Sequence, residues 1–366
     1  MKSVYIHIPF CEKICSYCDF CKVLYNRQLV DKYLDSLEEE IKSNYLGEVI
    51  NTIYIGGGTP SSLSVLQLER LFKIVSIFKK REDIEFTIEA NFESISKEKI
   101  DLFKRYGVNR ISFGLESTNK KHLEFLNRDF DRCHVIDIVK YSKSVGLDNI
   151  NIDLIYALEN QTIEELKEDL DFIISLDIKH ISTYSLIIEK NTLLSVLGTK
   201  NISEDMDFKM YKFICEYLSN NNFKHYEISN FCKDGYYSRH NTVYWKNLEY
   251  YGFGLGASSY IQNKRSTNTR SFNKYFSKDY VSSVEEVSTE DLMEYEVMLG
   301  LRLSEGIDKN KFRNRFGKRI DECYNYNELI DNGFIIDDGD NLFIPEDKFY
   351  VSNEIIVKFI EGEKYE

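Results

Sequence analysis

A CxxxCxxC run, Cys11-Glu12-Lys13-Ile14-Cys15-Ser16-Tyr17-Cys18, follows directly on the short apolar stretch Val4–Ile8 and continues into Asp19-Phe20. Three thiolates on so short a loop can hold three irons of a [4Fe–4S] cluster, and no fourth cysteine comes at the spacing of a closed four-cysteine site. One iron is then left open. A methionine-type amino and carboxylate pair suits it as a chelate. A zinc ion would instead need Cys21 or His7 to complete a tetrahedron, and a disulfide framework is the other bland alternative. Cys21 could be a fourth ligand or a spare thiol; its spacing from Cys18 reads as a neighbour and not a ligand.

Other residues could work beside such a cluster. Gly56-Gly57-Gly58-Thr59-Pro60 lets backbone N–H and C=O groups approach a ligand closely, and it is neither a Walker loop nor a dinucleotide fingerprint. Glu89 and Asp153 sit on expected strands, where an unpaired acid is costly to bury; that favours a ligand or an arginine partner such as Arg128, with structural ion pairs as the other reading. His240, in Arg239-His240-Asn241-Thr242-Val243-Tyr244-Trp245, can coordinate a metal or a haem iron through a neutral imidazole, although a lone histidine is more often only hydrogen-bonded.

The elements that must position these residues alternate. Strands are expected at Val4–Ile8, Thr52–Ile55, Ile84–Glu89, Arg110–Gly114, Asn149–Tyr156, His180–Leu186 and Lys224–Ile228, with amphipathic helices such as Arg27–Ser43 and Thr162–Leu176 between them. Regular β–α alternation implies a parallel sheet, and this many units an α/β fold with a full or partial (β/α) barrel, whose chemistry sits where the strands end. The cysteine loop, the glycine run, Glu89 and Glu116 all fall at such ends, and only Asp153 is expected within its strand. Residues 1–231 read as the barrel, 232–287 as the HNxxYW segment with a glycine-rich connection, and 288–366 as a small helical, winged-helix-like domain with a hairpin at Gly333–Ile336 and Asn341–Ile344.

The chain has 366 residues, 43% of them apolar, enough to bury a substantial core. Its net charge of −13 argues against a nucleic-acid-binding surface; Lys79-Lys80-Arg81 reads as a solvated helix end. Eight cysteines, four of them in one loop, suit metal chemistry in a reducing compartment. No leader and no apolar run near ~18 residues is visible, so a cytoplasmic protein is expected.

The cysteine loop with its following aromatic residue resembles the radical S-adenosylmethionine superfamily. Over almost its whole length the chain resembles the HemW-type haem chaperones within it, relatives of oxygen-independent coproporphyrinogen III oxidase. The marks are Tyr5-Ile6-His7-Ile8-Pro9-Phe10-Cys11, the Gly56–Ser61 run, Asn151–Tyr156, Tyr226–Phe231 and above all the HNxxYW motif His240–Trp245. This resemblance implies a [4Fe–4S] cluster on Cys11, Cys15 and Cys18, and S-adenosylmethionine contacts from Tyr5, Tyr17, Gly57, Gly58, Thr59, Glu89, Glu116, Arg128 and Asp153. It also implies haem contacted by His240, and haemoproteins, some of them membrane-associated, as recipients; a homodimer stays open. The alternative is an enzyme in which the reduced cluster cleaves S-adenosylmethionine to a radical, with coproporphyrinogen decarboxylation as the obvious reaction. Phe20 in place of a cysteine and the HNxxYW motif stand against that. Departures from the family pattern are Glu116 for glutamine, where a carboxylate would repel a cofactor carboxylate, Phe92 for proline, Ser258 for histidine and Ala157–Thr162 for Gly-Leu-Pro-Gly-Gln-Thr.

Overall fold

The computed structural model describes residues 2–362, so the expected outer limits at 1 and 366 lie outside the described residues. Strands β1 (Lys2–Ile8), β2 (Val49–Gly57), β3 (Lys79–Asn91), β4 (Arg110–Glu116), β5 (Ile150–Tyr156) and β6 (His180–Ser185) lie side by side in chain order, all parallel. Parallel neighbours require crossovers, and helices make them here. These are α1 (Arg27–Asn44), α2 (Val65–Val75), α3 (Lys97–Arg105), α4 (Arg132–Ser144) and α5 (Ile163–Ser175), with α6 (Glu204–Asn220) after β6. Local chemistry sets their starts: Ser64 with Gln67 and Thr162 with Glu165 form capping boxes at α2 and α5.

Strand alternation divides the sheet into two chemically different faces. Ile53, Ile55, Phe86, Ile88, Ile111 and Phe113 are buried in the apolar core. The other face carries polar residues in layers: Tyr54 opposite Thr87 and Thr87 opposite Arg110, then Glu89 opposite Ser112, then Gly114 opposite Asp153. The concave side of this partial barrel is therefore polar from floor to mouth.

At one edge the hairpin β7 (Lys224–Glu227) and β8 (Asn230–Cys232) adds antiparallel strands to β6. Helix α7 (Arg239–Trp245) follows, and β9 (Tyr250–Phe253) then returns to lie parallel to β1 at the opposite side. The meander β10 (Ser258–Ile261), β11 (Lys264–Asn268) and β12 (Val281–Glu286) extends that edge, so the stretch read as a glycine-rich connection is itself sheet. The C-terminal region packs α8 (Thr289–Gly300) against α9 (Ser352–Glu361) beside a three-stranded sheet of Ile307–Asp308, Asn341–Phe343 and Ile336–Asp337.

One expectation is corrected. Lys79-Lys80-Arg81 is no helix end: α2 stops at Val75, Lys79 and Lys80 pair with Val49 and Ile50, and the Lys80 ammonium lies 5.0 Å over the Phe86 ring. The basic residues are tolerated because this end of β3 projects towards solvent. Asp153 lies within β5, as expected, and the stagger of β5 on β4 pairs it with Gly114, two residues short of the end of β4 and so near the mouth.

No helix among the described residues is long and apolar enough to cross a membrane.

Candidate functional site

The cysteine loop is tied down at both ends and in the middle. Phe10–Cys11 pairs with Val23–Leu24, closing its base. The Ser16 hydroxyl donates to the Phe125 carbonyl at 2.7 Å, and the Asn127 amide donates to the Ile14 carbonyl at 2.7 Å. So anchored, the loop directs Cys11, Cys15 and Cys18 into a cavity of about 460 Å³ at the carboxyl ends of the strands. Burial raises all three thiols, Cys15 up to about 12, so a metal must displace their protons on binding. Among the described residues no three metal-ligating side chains converge as a single tetrahedral zinc ion requires. Three thiols spread over the wall of a wider cavity suit a multi-iron cluster.

The glycine loop forms the adjoining wall. Gly57 has φ +118°, and a Cβ there would meet the His7 ring at 2.5 Å; a Cβ on Gly58 would meet the Pro9 carbonyl carbon at 2.9 Å and Cys11 Sγ at 3.0 Å. A side chain is excluded at Gly57 by the end of β1 and at Gly58 by the start of the cysteine loop. The Thr59 hydroxyl lies 3.5 Å from Cys11 Sγ and accepts from the Asn91 amide at 3.2 Å.

Acids and one arginine make up the remainder. Glu89 is gripped at both oxygens, by the Tyr54 hydroxyl at 2.8 Å and the Gly57 N–H at 2.9 Å, yet burial pushes its pKa to about 7. Glu116 accepts from the Tyr17 hydroxyl at 2.9 Å and is also raised by burial to about 7, against the opposing pull of Arg128. Arg128, almost wholly buried, contacts Glu116 at 2.6 Å and holds Glu93 through Nε at 2.6 Å and a second nitrogen at 2.9 Å. Asp153 accepts from Asn151 at 2.8 Å and Ser112 at 3.3 Å, its pKa raised by burial.

Of the thirteen residues singled out in the sequence, eleven line this one cavity, and Tyr5 and His240 do not. Tyr5 points into the barrel below the mouth and bonds His7 Nδ1 at 2.9 Å. His240, expected as a haem contact, lies outside this cavity. Its ring is buried, Nδ1 is 2.7 Å from the Thr52 hydroxyl and Nε2 is 2.8 Å from the Tyr244 hydroxyl, so neither nitrogen is presented to an iron in this conformation. Burial also lowers its pKa to about 3, so the ring is neutral. Cys21 lies beside Gly256, and its carbonyl is 2.7 Å from His7 Nε2.

Glu93 and Tyr184 were not read from the sequence. Glu93 gives no signal because its partner lies 35 residues on, across the sheet. Tyr184 continues the period-2 pattern of β6 at the mouth, the one clue that could have placed it.

Residues 5–173 match the model of the radical SAM superfamily, and residues 287–347 match the HemN C-terminal domain. The chain is 39% identical to the heme chaperone HemW of Lactococcus lactis, covering 98% of this chain and 97% of that protein. It is 35% identical to that of Bacillus subtilis, over 98% of this chain and 99% of the relative. Among solved structures the coproporphyrinogen III oxidase HemN of Escherichia coli superposes with a TM-score of 0.86 at 21% identity, covering 98% of this chain and 90% of that one, a likeness of fold. On its whole-length likeness to these relatives, the chain belongs to the HemW haem chaperone family of the radical S-adenosylmethionine superfamily.

Proposed function

We propose that this protein binds haem and delivers it to haemoproteins in the cytoplasm or at the inner face of a membrane. In this reading it carries a [4Fe–4S] cluster on Cys11, Cys15 and Cys18, with S-adenosylmethionine in the same mouth. The observation that supports it is the convergence of three thiols, a side-chain-free glycine wall and a paired Arg128 on one cavity, in a chain matched end to end by proteins named heme chaperones. S-adenosylmethionine on such a cluster supplies one-electron chemistry.

The chain's own residues would do the holding. Gly57 and Gly58 let the backbone reach the ligand, and Arg128 brings a cation already oriented by Glu93. Burial raises the Glu116 carboxyl to about 7, and in its protonated form it donates a hydrogen bond, as the family's glutamine amide would. The repulsion expected from a carboxylate at this position is relieved in that form.

Haem is a flat, largely apolar ring. Exposed Phe20 and Ile187 stand on the rim of the cavity, and exposed Leu193, Val196 and Leu197 follow in the same loop after β6, offering apolar surface beside the cluster.

An anaerobic haem titration of the cluster-reconstituted protein, followed by its visible spectrum and by transfer to an apo-haemoprotein, tests the reading. Saturable stoichiometric binding with onward transfer supports it. A wild-type protein that binds no haem overturns it.

A further inference from the structure

Helix α7, which carries His240-Asn241-Thr242-Val243-Tyr244-Trp245, lies against the floor of the barrel, away from the cluster. The Arg239 and His240 N–H groups donate to the two oxygens of Glu85, at 2.9 and 2.8 Å, so a buried carboxylate seats the start of the helix on β3. The His240 imidazole is fixed by the Thr52 and Tyr244 hydroxyls at 2.7 and 2.8 Å.

Its ring plane then meets that of Tyr54, stacked with centroids 5.1 Å apart and planes 30° apart, and Tyr5 stacks against Tyr54 at 6.2 Å and 29°. Tyr54 is thus packed against two rings. Its hydroxyl reaches one oxygen of Glu89 at 2.8 Å, and the other oxygen takes the Gly57 N–H at 2.9 Å. Glu89 and Gly57 both line the cluster cavity. From His240 to the mouth the path consists of one ring contact and two hydrogen bonds, starting from a buried imidazole and ending at the half-buried wall of the cavity.

We propose that His240 is a positioning residue for the cofactor site: through Tyr54 it fixes the carboxylate of Glu89 and, through Glu89, the glycine wall against which S-adenosylmethionine binds. The HNxxYW helix sets the geometry of the mouth from below. This inference rests on the reading that S-adenosylmethionine occupies that mouth.

The test uses the full-length, cluster-reconstituted protein and three variants. His240→Ala removes the ring. Tyr54→Phe keeps both stacks and removes only the bond to Glu89. The third variant combines the two changes. Equilibrium binding of S-adenosylmethionine and the electron paramagnetic resonance spectrum of the reduced cluster, with and without S-adenosylmethionine, are measured beside a haem titration.

Each single variant should bind S-adenosylmethionine about tenfold more weakly and show an altered spectral response to it, with the haem spectrum of the wild type retained. The double variant should be no worse than His240→Ala, because both changes cut the same path; a merely structural loss of the helix would add to the effect of Tyr54→Phe. The inference is overturned if His240→Ala and Tyr54→Phe bind S-adenosylmethionine as the wild type does. It is equally overturned if His240→Ala loses the haem spectrum with S-adenosylmethionine binding intact, since the ring would then be an iron ligand. A wild-type protein that binds no S-adenosylmethionine defeats the cofactor reading itself, and the inference with it. Should His240→Ala not fold, His240→Leu, which fills the space without a ring, is read in its place against the same outcomes.

Discussion

Arg128 lies 2.6 Å from Glu116 at the point where the β4 backbone leaves the sheet with φ +60° at Glu116. A non-glycine residue in the left-handed region is strained by about 1 kcal/mol or more. The ion pair and the Tyr17 hydrogen bond hold the Glu116 side chain across the mouth despite that strain.

Replacing Arg128 by alanine leaves Glu116 and Glu93 without their cation. The expected loss is about 3–5 kcal/mol of stability, read as a fall in the thermal midpoint of the cluster-free protein. Arg128→Lys should recover only a minor part, since one ammonium cannot reproduce the two-nitrogen grip on Glu93. A lysine variant as stable as the wild type would show that charge alone matters here.

Glu89 and Glu116 set a pH dependence. Their folded pKa values, about 7, lie above the ordinary carboxylate value, so the folded state binds more protons between about pH 4.5 and 7 than the unfolded chain. Their stability contribution is complete below that window and is lost as pH rises through 7, by up to about 3 kcal/mol each. Glu93 acts in the opposite sense, its pKa being lowered by Arg128 despite burial, so its contribution is lost only as the pH falls below the window. Denaturant titrations of the cluster-free protein across pH 4.5–8 should show the decline, and Glu116→Gln should flatten it.

Gly58→Ala places a methyl group against the Pro9 carbonyl carbon and Cys11 Sγ. Overpacking of this kind costs about 1–3 kcal/mol, and here it displaces a cluster thiol as well. Iron and sulfide content after reconstitution should fall to less than about half that of the wild type. Full incorporation would mean that the cysteine loop can yield.

Alanine at Cys11, Cys15 or Cys18 should abolish the visible absorbance of the cluster and its iron, whereas Cys21→Ala should keep both. Loss of the cluster in the Cys21 variant would make that thiol a ligand after all.

The cysteine loop, the glycine wall and the β–α rhythm that brings them together are legible in the order of the residues. Each is local: a ligand spacing, a run without side chains, an alternation of periods, and in parallel sheets the ends of successive strands converge without further instruction. Tertiary structure alone decided the rest. Glu93 became the partner of Arg128 because β3 and the turn after β4 meet across 35 residues of chain. Asp153 reached the mouth through the stagger of β5 on β4, a register that composition does not fix. His240 is the clearest case. Its motif specifies a short helix, but whether the imidazole faces a ligand or the interior depended on Thr52 and Tyr54, which the fold brings to it from 188 and 186 positions earlier in the chain. Nε2 is held by Tyr244 within the motif itself, but Nδ1 is engaged by Thr52 and the ring face by Tyr54, contacts that no reading of the hexapeptide could have shown.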